Sequence, residues 1–394
     1  MEKCDWSGNF DIVATCASGL ERTLKSELKR LSLPESPAIN GGISFSGTAK
    51  DVARCNINLR TADRVYVKLG EFDATSFDNV YDGVKSLRLE RFLPKDAAIT
   101  VNGRCVKSEL FAVSATQGVV KKAIADRLCA VYGLNRLPEC GAEHHVEFRL
   151  YKNVFTLLLD TSGKGLHKRG YRELVGIAPI KETLASGLLL MSDFYYKDPF
   201  CDPFAGSGTI VIEAARIALG IAPGINRRFA FNEWKEFDKS AFASAFEEAK
   251  DGERRDKNVV LYGYDIDKKA VDLANRHAER AGVKDNVKFR VRPVAELCER
   301  EPRGTIVTNP PYGERVYDRK AARECYSELG KAFKKLDDWS LFLITSDKGF
   351  EKAFGRRADR TKKLYNSEKE CEFYYYYKTK KPTVKESVKG ENND

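Results

Sequence analysis

Between Pro199 and Thr345, five short apolar runs alternate with segments of helical periodicity: Pro199 to Asp202, Val260 to Asp265, Val287 to Val291, Thr305 to Thr308 and Leu341 to Thr345. Few folds satisfy that alternation. Each apolar run followed by an amphipathic helix buries both faces of a sheet, so the pattern predicts a doubly wound α/β architecture with a parallel sheet. Two last runs, Lys362 to Tyr365 and Glu372 to Lys378, lie too close together for a crossover helix and are expected to pair antiparallel. The sheet then has seven strands and is mostly parallel.

The first of these strands leads into Phe200-Cys-Asp-Pro-Phe-Ala-Gly-Ser-Gly-Thr209, a strand end, a tight glycine turn and a helix from Ile210 to Leu219. Gly206 and Gly208 allow a ligand to approach the backbone closely. The phosphate-binding pattern GxxxxGK[ST] is absent, and the residue three after Gly208 is Val211, which breaks a GxGxxG dinucleotide fingerprint. Asp202 stands at the strand end instead. A carboxylate there suits a cationic ligand, such as the ammonium and sulfonium of S-adenosylmethionine, and repels a pyrophosphate. The second strand also ends in acids, Asp265 and Asp267. Asp265 is placed to accept hydrogen bonds from ribose hydroxyls, and Asp267 to cap the helix Lys268 to Ala281. A nicotinamide dinucleotide would use an acid at that place in the same way, so the acid indicates a nucleoside rather than a methyl donor.

The fourth strand runs into Asn309-Pro-Pro-Tyr-Gly-Glu-Arg315, where an open α/β sheet places its ligand crevice. Pro310 and Pro311 fix φ and remove two amide donors, leaving a stiff loop that presents carbonyls. The Asn309 side-chain oxygen and the Pro310 carbonyl are candidate acceptors for the hydrogens of an exocyclic base amine. Such an amine is a poor nucleophile because its lone pair is delocalised, and two acceptors would favour pyramidal nitrogen. Tyr312 could stack on a base extruded from its helix. A rigid turn without chemistry is the plainer reading of this tetrapeptide alone. Its order after the glycine turn and the acidic strand end argues for the site.

Ahead of this block, strands and helices alternate differently: a strand at Asp11 to Cys16, and a helix carrying Leu20, Leu24, Leu28 and Leu31 behind an expected Ser18–Glu21 capping box. A strand at Val65 to Leu69, a helix at Asn79 to Leu89, a strand at Ala98 to Gly103, a helix at Gln117 to Val131 and a strand at Phe148 to Asp160 follow. This α+β region holds no plausible catalytic cluster and reads as a binding module. Thr161 to Gly165 is expected to be a polar connector, and Thr379 to Asp394 a disordered tail. The ten cysteines include no CxxC pair and are not spaced with the four histidines as zinc ligands would be, so no metal is expected. Neither a run long enough to span a membrane nor a secretory signal is visible, and a cytoplasmic protein is expected. The formal charge of +10 suits a polyanionic partner.

DPFAGSGT and NPPYGER resemble the class I methyltransferases that form N2-methylguanosine in large-subunit ribosomal RNA. FDIVATCASGLERTLKSELKRL, NINLRTADRVYVKLGEF, VKSELFAVSATQGVVKKAIADRL, LHKRGYR, APIKETLASGLL and KKLYNSEKECEFYYY extend the resemblance from about Phe10 to Tyr377. The resemblance implies a Rossmann-like class I methyltransferase domain over 163–378, preceded by a ferredoxin-like segment over 1–60 and a THUMP RNA-binding domain over 61–162, with the tail at 379–394. It implies S-adenosyl-L-methionine as cofactor and RNA as partner, with Ala178 to Ala185 flanking the cofactor. The candidate cofactor-binding set is Asp202, Phe204, Gly206, Ser207, Gly208, Thr209, Asp265, Ile266 and Asn309. The candidate catalytic set is Asn309, Pro310, Pro311 and Tyr312. Such enzymes often carry an aspartate near the adenine amine after the third strand. This chain reads Arg292-Pro-Val-Ala-Glu296, and no adenine-recognising side chain is assigned.

Lys107, Lys121, Lys122, Lys164, Lys168, Arg169 and Arg172 are candidate phosphate contacts, with Lys168-Arg169 the best placed between the two blocks. The Phe373 to Tyr377 aromatic run is expected to pack on a sheet face rather than on bases. Methylation of guanine N2 in ribosomal RNA after base flipping is the leading expectation. N6-adenine methylation of RNA or DNA uses a nearly identical loop. A non-catalytic RNA-assembly factor and a nicotinamide oxidoreductase are the readings from other classes, the last disfavoured by the missing GxGxxG.

Overall fold

The computed structural model describes residues 4–34, 38–39, 41–172, 180–255, 258–297, 303–313, 319–336 and 338–377. The expected tail at 379–394 lies outside them, as do 178–179 of the expected cofactor flank. The chain divides into two compact units, Met1–Gly170 with Gly220–Arg255, and Tyr171–Leu219 with Asp256–Asp394.

In the first unit, strands β1 (Phe10–Cys16), β2 (Ala38–Ile39), β3 (Gly42–Gly47), β4 (Ala62–Asp73), β5 (Ala98–Val106), β6 (Glu143–Tyr151) and β7 (Val154–Asp160) form one sheet in the order β2-β3-β1-β4-β7-β6-β5. Leu20, Leu24 and Leu28 are buried against it, as their spacing predicts. The Ser18–Glu21 capping box does not form. Gly19 turns the chain at φ +92, Leu20 becomes the N-cap, and the Glu21 carboxylate accepts from the Gly19 amide at 2.8 Å. The next predicted helix begins at Phe77 rather than Asn79, because Ser76 and Asn79 cap each other reciprocally. The run read as one strand from Phe148 to Asp160 is a hairpin. Lys152 and Asn153 both take positive φ, the geometry of a two-residue turn, without the glycine that would have signalled it.

Thr161 and Ser162 are not an exposed connector. Both are fully buried, and a hydrogen-bond network ties them to Asn56 and to the backbone of Val65. The segment 220–255 completes this unit's core. The Trp234 ring stacks on His144 with centroids 4.7 Å apart, lies 5.7 Å from Trp6, and donates its indole N–H to the Glu143 carbonyl. Its helix Lys239–Asp251 lies along the helix Ala49–Asn58, where Glu248 pairs with Lys50 and Arg54.

The second unit carries β8 (Phe200–Asp202), β9 (Leu261–Asp265), β10 (Val287–Val291), β11 (Gly304–Thr308), β12 (Trp339–Thr345), β13 (Arg360–Asn366) and β14 (Lys369–Tyr376), ordered β10-β9-β8-β11-β12-β14-β13. Neighbours from β10 through β12 pair parallel, while β14 runs antiparallel to both β12 and β13, so the sheet is mixed. Cys201, Ile306, Leu341 and Leu343 of the sheet pack with Tyr326 and Leu329 of the helix Arg319–Phe333, and with Phe350, Tyr374 and Tyr376. Phe373 to Tyr376 are buried on alternate faces of β14, as sheet packing requires. The chain order reverses between β8 and β11. That reversal is where open α/β sheets place their ligand crevice, and Asp202 and Asn309 stand at the carboxyl ends of these two strands.

Candidate active site

The turn after β8 is held by its own acids. Asp202 is almost fully buried, and its Oδ1 accepts from the Phe204 amide at 3.0 Å and from the Thr308 hydroxyl at 2.6 Å. Burial pushes its carboxyl up to about 7, against the opposing pull of those two hydrogen bonds. Gly206 (φ +51) and Gly208 (φ +83) supply the left-handed backbone, and a Cβ at Gly208 would meet the Phe289 ring at 2.8 Å. A Cβ at Gly206 would meet nothing within 4 Å, so that backbone faces open space. Ser207 and Thr209 flank the second glycine, and the helix Thr209–Ala218 starts there with its amides directed at the turn.

Asp265, at the end of β9, clamps the same turn. Its Oδ2 accepts from the Gly206 amide and its Oδ1 from the Asp267 amide, both at 2.9 Å. Burial again raises its carboxyl above the usual range. Asp267 caps the next helix through the Lys269 amide at 2.8 Å. Ile266 between them is 62% exposed, an apolar surface next to a carboxylate and an open glycine backbone. These groups fit an adenosyl ligand: an apolar face for a ring, a carboxylate with lone pairs left for hydroxyls, and backbone without side chains in the way. Arg292 sits after β10, where its amide donates to the Asp265 carbonyl and its guanidinium covers the Tyr264 ring. Glu296 is exposed in a short turn.

Asn309 follows β11 directly, on the strand next to β8, and the Thr308–Asp202 bond joins the roots of the two loops. The Tyr312 hydroxyl donates to Asn309 Oδ1 at 2.5 Å, and the Lys369 ammonium lies 5.3 Å from the centre of the Tyr312 ring. Behind the loop, the buried Tyr326 hydroxyl donates to the Pro311 carbonyl at 2.6 Å. Among the described residues no donor is placed on the Pro310 carbonyl, and the second lone pair of Asn309 Oδ1 has no described partner. Thr308 and Tyr326 were not legible as site residues, because a threonine in a strand and a tyrosine in a helix carry no spacing signal. The hollow bounded by Phe333, Leu336, Trp339, Phe354 and Tyr377 lies at the start of β12, at the far end of the strands from Asn309. Among the described residues no group of three or more His, Cys, Asp and Glu could hold a metal ion, and no helix is long and apolar enough to cross a membrane.

The candidate phosphate contacts divide. Lys107, Lys122, Lys164 and Lys168 are exposed, and Lys121 is partly covered, donating to the Ile99 carbonyl and pairing with Glu139. Arg169 is not a surface cation. It is 2% exposed, and its guanidinium donates to the Leu166 and Arg60 carbonyls. Arg172 is likewise engaged inward, by the buried Glu182 at 3.0 Å and the Ile180 carbonyl at 3.1 Å. The basic residue types predicted solvent contact, but these two cations satisfy buried oxygens instead.

Residues 169–374 match the family model UPF0020, described as an RMKL-like methyltransferase domain, and residues 11–66 match an RlmL ferredoxin-like domain. YpsC of Bacillus subtilis (strain 168), provisionally named an RNA methyltransferase, is 39% identical over 380 residues, covering 96% of this chain and 98% of that protein. The ribosomal RNA large subunit methyltransferase K/L of Psychromonas ingrahamii is 33% identical over 377 residues. That match covers 93% of this chain and 50% of the enzyme, so the chain spans about half the enzyme's length. The solved structure of SMU.472, provisionally termed a methyltransferase and complexed with S-adenosylhomocysteine, superposes with a TM-score of 0.90 at 38% identity. It covers 96% of this chain and 100% of that one. The class I methyltransferase fold expected from the sequence and the ferredoxin-like N-terminal segment both hold.

Proposed function

The chain belongs to the family of RMKL-like methyltransferase domains, and from that premise we propose that it transfers the methyl group of S-adenosylmethionine to the N2 amine of a guanine in ribosomal RNA. Asn309 at the switch point, one strand away from Asp202 and tied to it through Thr308, is the observation that carries this reading. Asp265, Gly206 and Ile266 would hold the adenosyl end, and Asp202 and the glycine turn the amino-acid end. The bound cofactor supplies an already activated methyl group on sulfur.

The chain's own work is alignment. An extruded guanine amine would place its two hydrogens on the Pro310 carbonyl and on the open lone pair of Asn309 Oδ1. That arrangement frees the nitrogen lone pair and receives the positive charge that develops on it. The Tyr312 hydroxyl, bonded to the same oxygen, fixes the carboxamide's orientation. Residues 61–162 serve as a THUMP RNA-binding domain, with Lys107, Lys121 and Lys122 on phosphates and Lys168 joining them from just beyond its end, and the protein acts in the cytoplasm. The relatives named as RNA and ribosomal RNA methyltransferases support RNA over DNA.

The test is transfer of tritiated methyl groups to RNA from a strain lacking the gene, followed by nucleoside analysis. N2-methylguanosine supports the reading, and N6-methyladenosine moves the target to adenine. Label in DNA alone, or none in either, overturns it.

A further inference from the structure

We infer that Tyr326, a buried tyrosine on the helix Arg319–Phe333, is a positioning residue for methyl transfer that sets the Asn309 carboxamide through the Pro311–Tyr312 peptide. The inference rests on the proposed role of Asn309. Two successive prolines fix φ at 310 and 311 but leave ψ free, and they remove the amides through which a loop is ordinarily held. The direction of the Pro311 carbonyl therefore has to be set from outside the loop. Tyr326 does this with its hydroxyl, which is fully buried and donates to that carbonyl at 2.6 Å.

The proton order behind the bond is determined. The Pro311 carbonyl can only accept, so the single Tyr326 proton goes to it and the Thr345 hydroxyl, which itself accepts from the Asp347 amide at 3.2 Å, is the donor to the Tyr326 oxygen 3.1 Å away. Asp347 is held in turn by the Arg323 guanidinium through both carboxylate oxygens. On the loop side, fixing the Pro311 carbonyl fixes the peptide that leads into Tyr312. The Tyr312 hydroxyl then meets Asn309 Oδ1 at 2.5 Å. A buried phenol in a core always needs a partner. What distinguishes this one is that its partner is a carbonyl within the loop that carries the acceptors.

Tyr326→Phe keeps the ring and removes the hydroxyl. Hydrogen exchange of the peptide spanning residues 305–313 reads the pinning without any substrate. Methyl transfer to large-subunit ribosomal RNA from a strain lacking the gene reads the consequence. We expect faster exchange in that peptide and a fall in kcat of about 10- to 100-fold, the scale of a 1 Å misplacement. KM for RNA and the affinity for S-adenosylhomocysteine should stay within about twofold. Phe333→Leu, a core change on the same helix away from the loop, serves as control. It should lower the melting temperature comparably and leave kcat alone. Unchanged exchange, a kcat within twofold of wild type, or an equal kcat loss in Phe333→Leu overturns the inference. Wild-type protein that methylates no RNA overturns the proposed function instead, and the exchange measurement still decides whether Tyr326 pins the loop.

Discussion

Replacing Asp202 with asparagine isolates the cost of a carboxylate kept from water. The carboxyl is 1% exposed, and burial raises it from an ordinary 3.8 to about 7 despite hydrogen bonds from Thr308 and the Phe204 amide. An acid raised in the folded state holds its proton there after the unfolded chain has lost it. Stability therefore falls as pH rises from about 4 to about 7, and the full penalty stays in place above 7. At 1.36 kcal/mol per pH unit the penalty is on the order of 4 kcal/mol at pH 8 and less than half of that at pH 5. Asp202→Asn keeps the Oδ1 acceptor and removes the titration. The ligand-free variant should thus exceed wild type in stability by several kcal/mol at pH 8, with the margin shrinking towards pH 4. Denaturant titrations at several pH values, read by hydrogen exchange in peptides from β8 and β11, follow the unit that contains the residue. If the carboxylate holds the cofactor's ammonium, the same variant binds S-adenosylhomocysteine more weakly at pH 8, and wild-type affinity falls as pH drops below about 7. A stability difference that does not vary with pH, or a wild type more stable than the variant at pH 8, refutes the reasoning.

Asn309→Ala should abolish methyl transfer, while RNA affinity by filter binding stays near wild type. Full activity in that variant removes the loop from the chemistry. Gly208→Ala forces an L-residue to φ +83 with its Cβ 2.8 Å from Phe289. It should cost about 1–3 kcal/mol in thermal denaturation and weaken S-adenosylhomocysteine binding in calorimetry. The triple variant Lys107→Ala, Lys122→Ala, Lys168→Ala should lower the salt dependence of RNA binding by roughly one per lysine. Arg169→Ala, by contrast, should lower the melting temperature and leave that slope unchanged.

Much of the second unit was legible because apolar strands bounded by turns leave a direct periodic trace. The Val287–Val291 strand was read to the residue, and the Asp267 cap formed as expected. Asp265 was read from its strand end as a ribose contact, whereas its bond to the Gly206 amide, which holds the glycine turn, had no signal in the sequence. The failures share one cause: the signal was tertiary. Thr161 and Ser162 look like linker residues, but Asn56, more than a hundred residues away, makes them core. Arg169 looks like a phosphate ligand until its carbonyl partners come from Arg60 and Leu166. The Lys152–Asn153 turn lacked a glycine, and Tyr326 and Thr308 acquire their meaning only from the oxygens they meet.

The segment 220–255 leaves the methyltransferase sheet after the helix Thr209–Ala218 and belongs to the N-terminal unit, where Trp234 fills the space between Trp6 and His144. A swap of N-terminal halves between two relatives at the boundary near residue 170 would therefore graft an incomplete core. The recipient would supply a tryptophan shaped for another partner. Heredity has to pass on these two stretches of chain together, and a ribosome must finish residue 255 before the first unit can close.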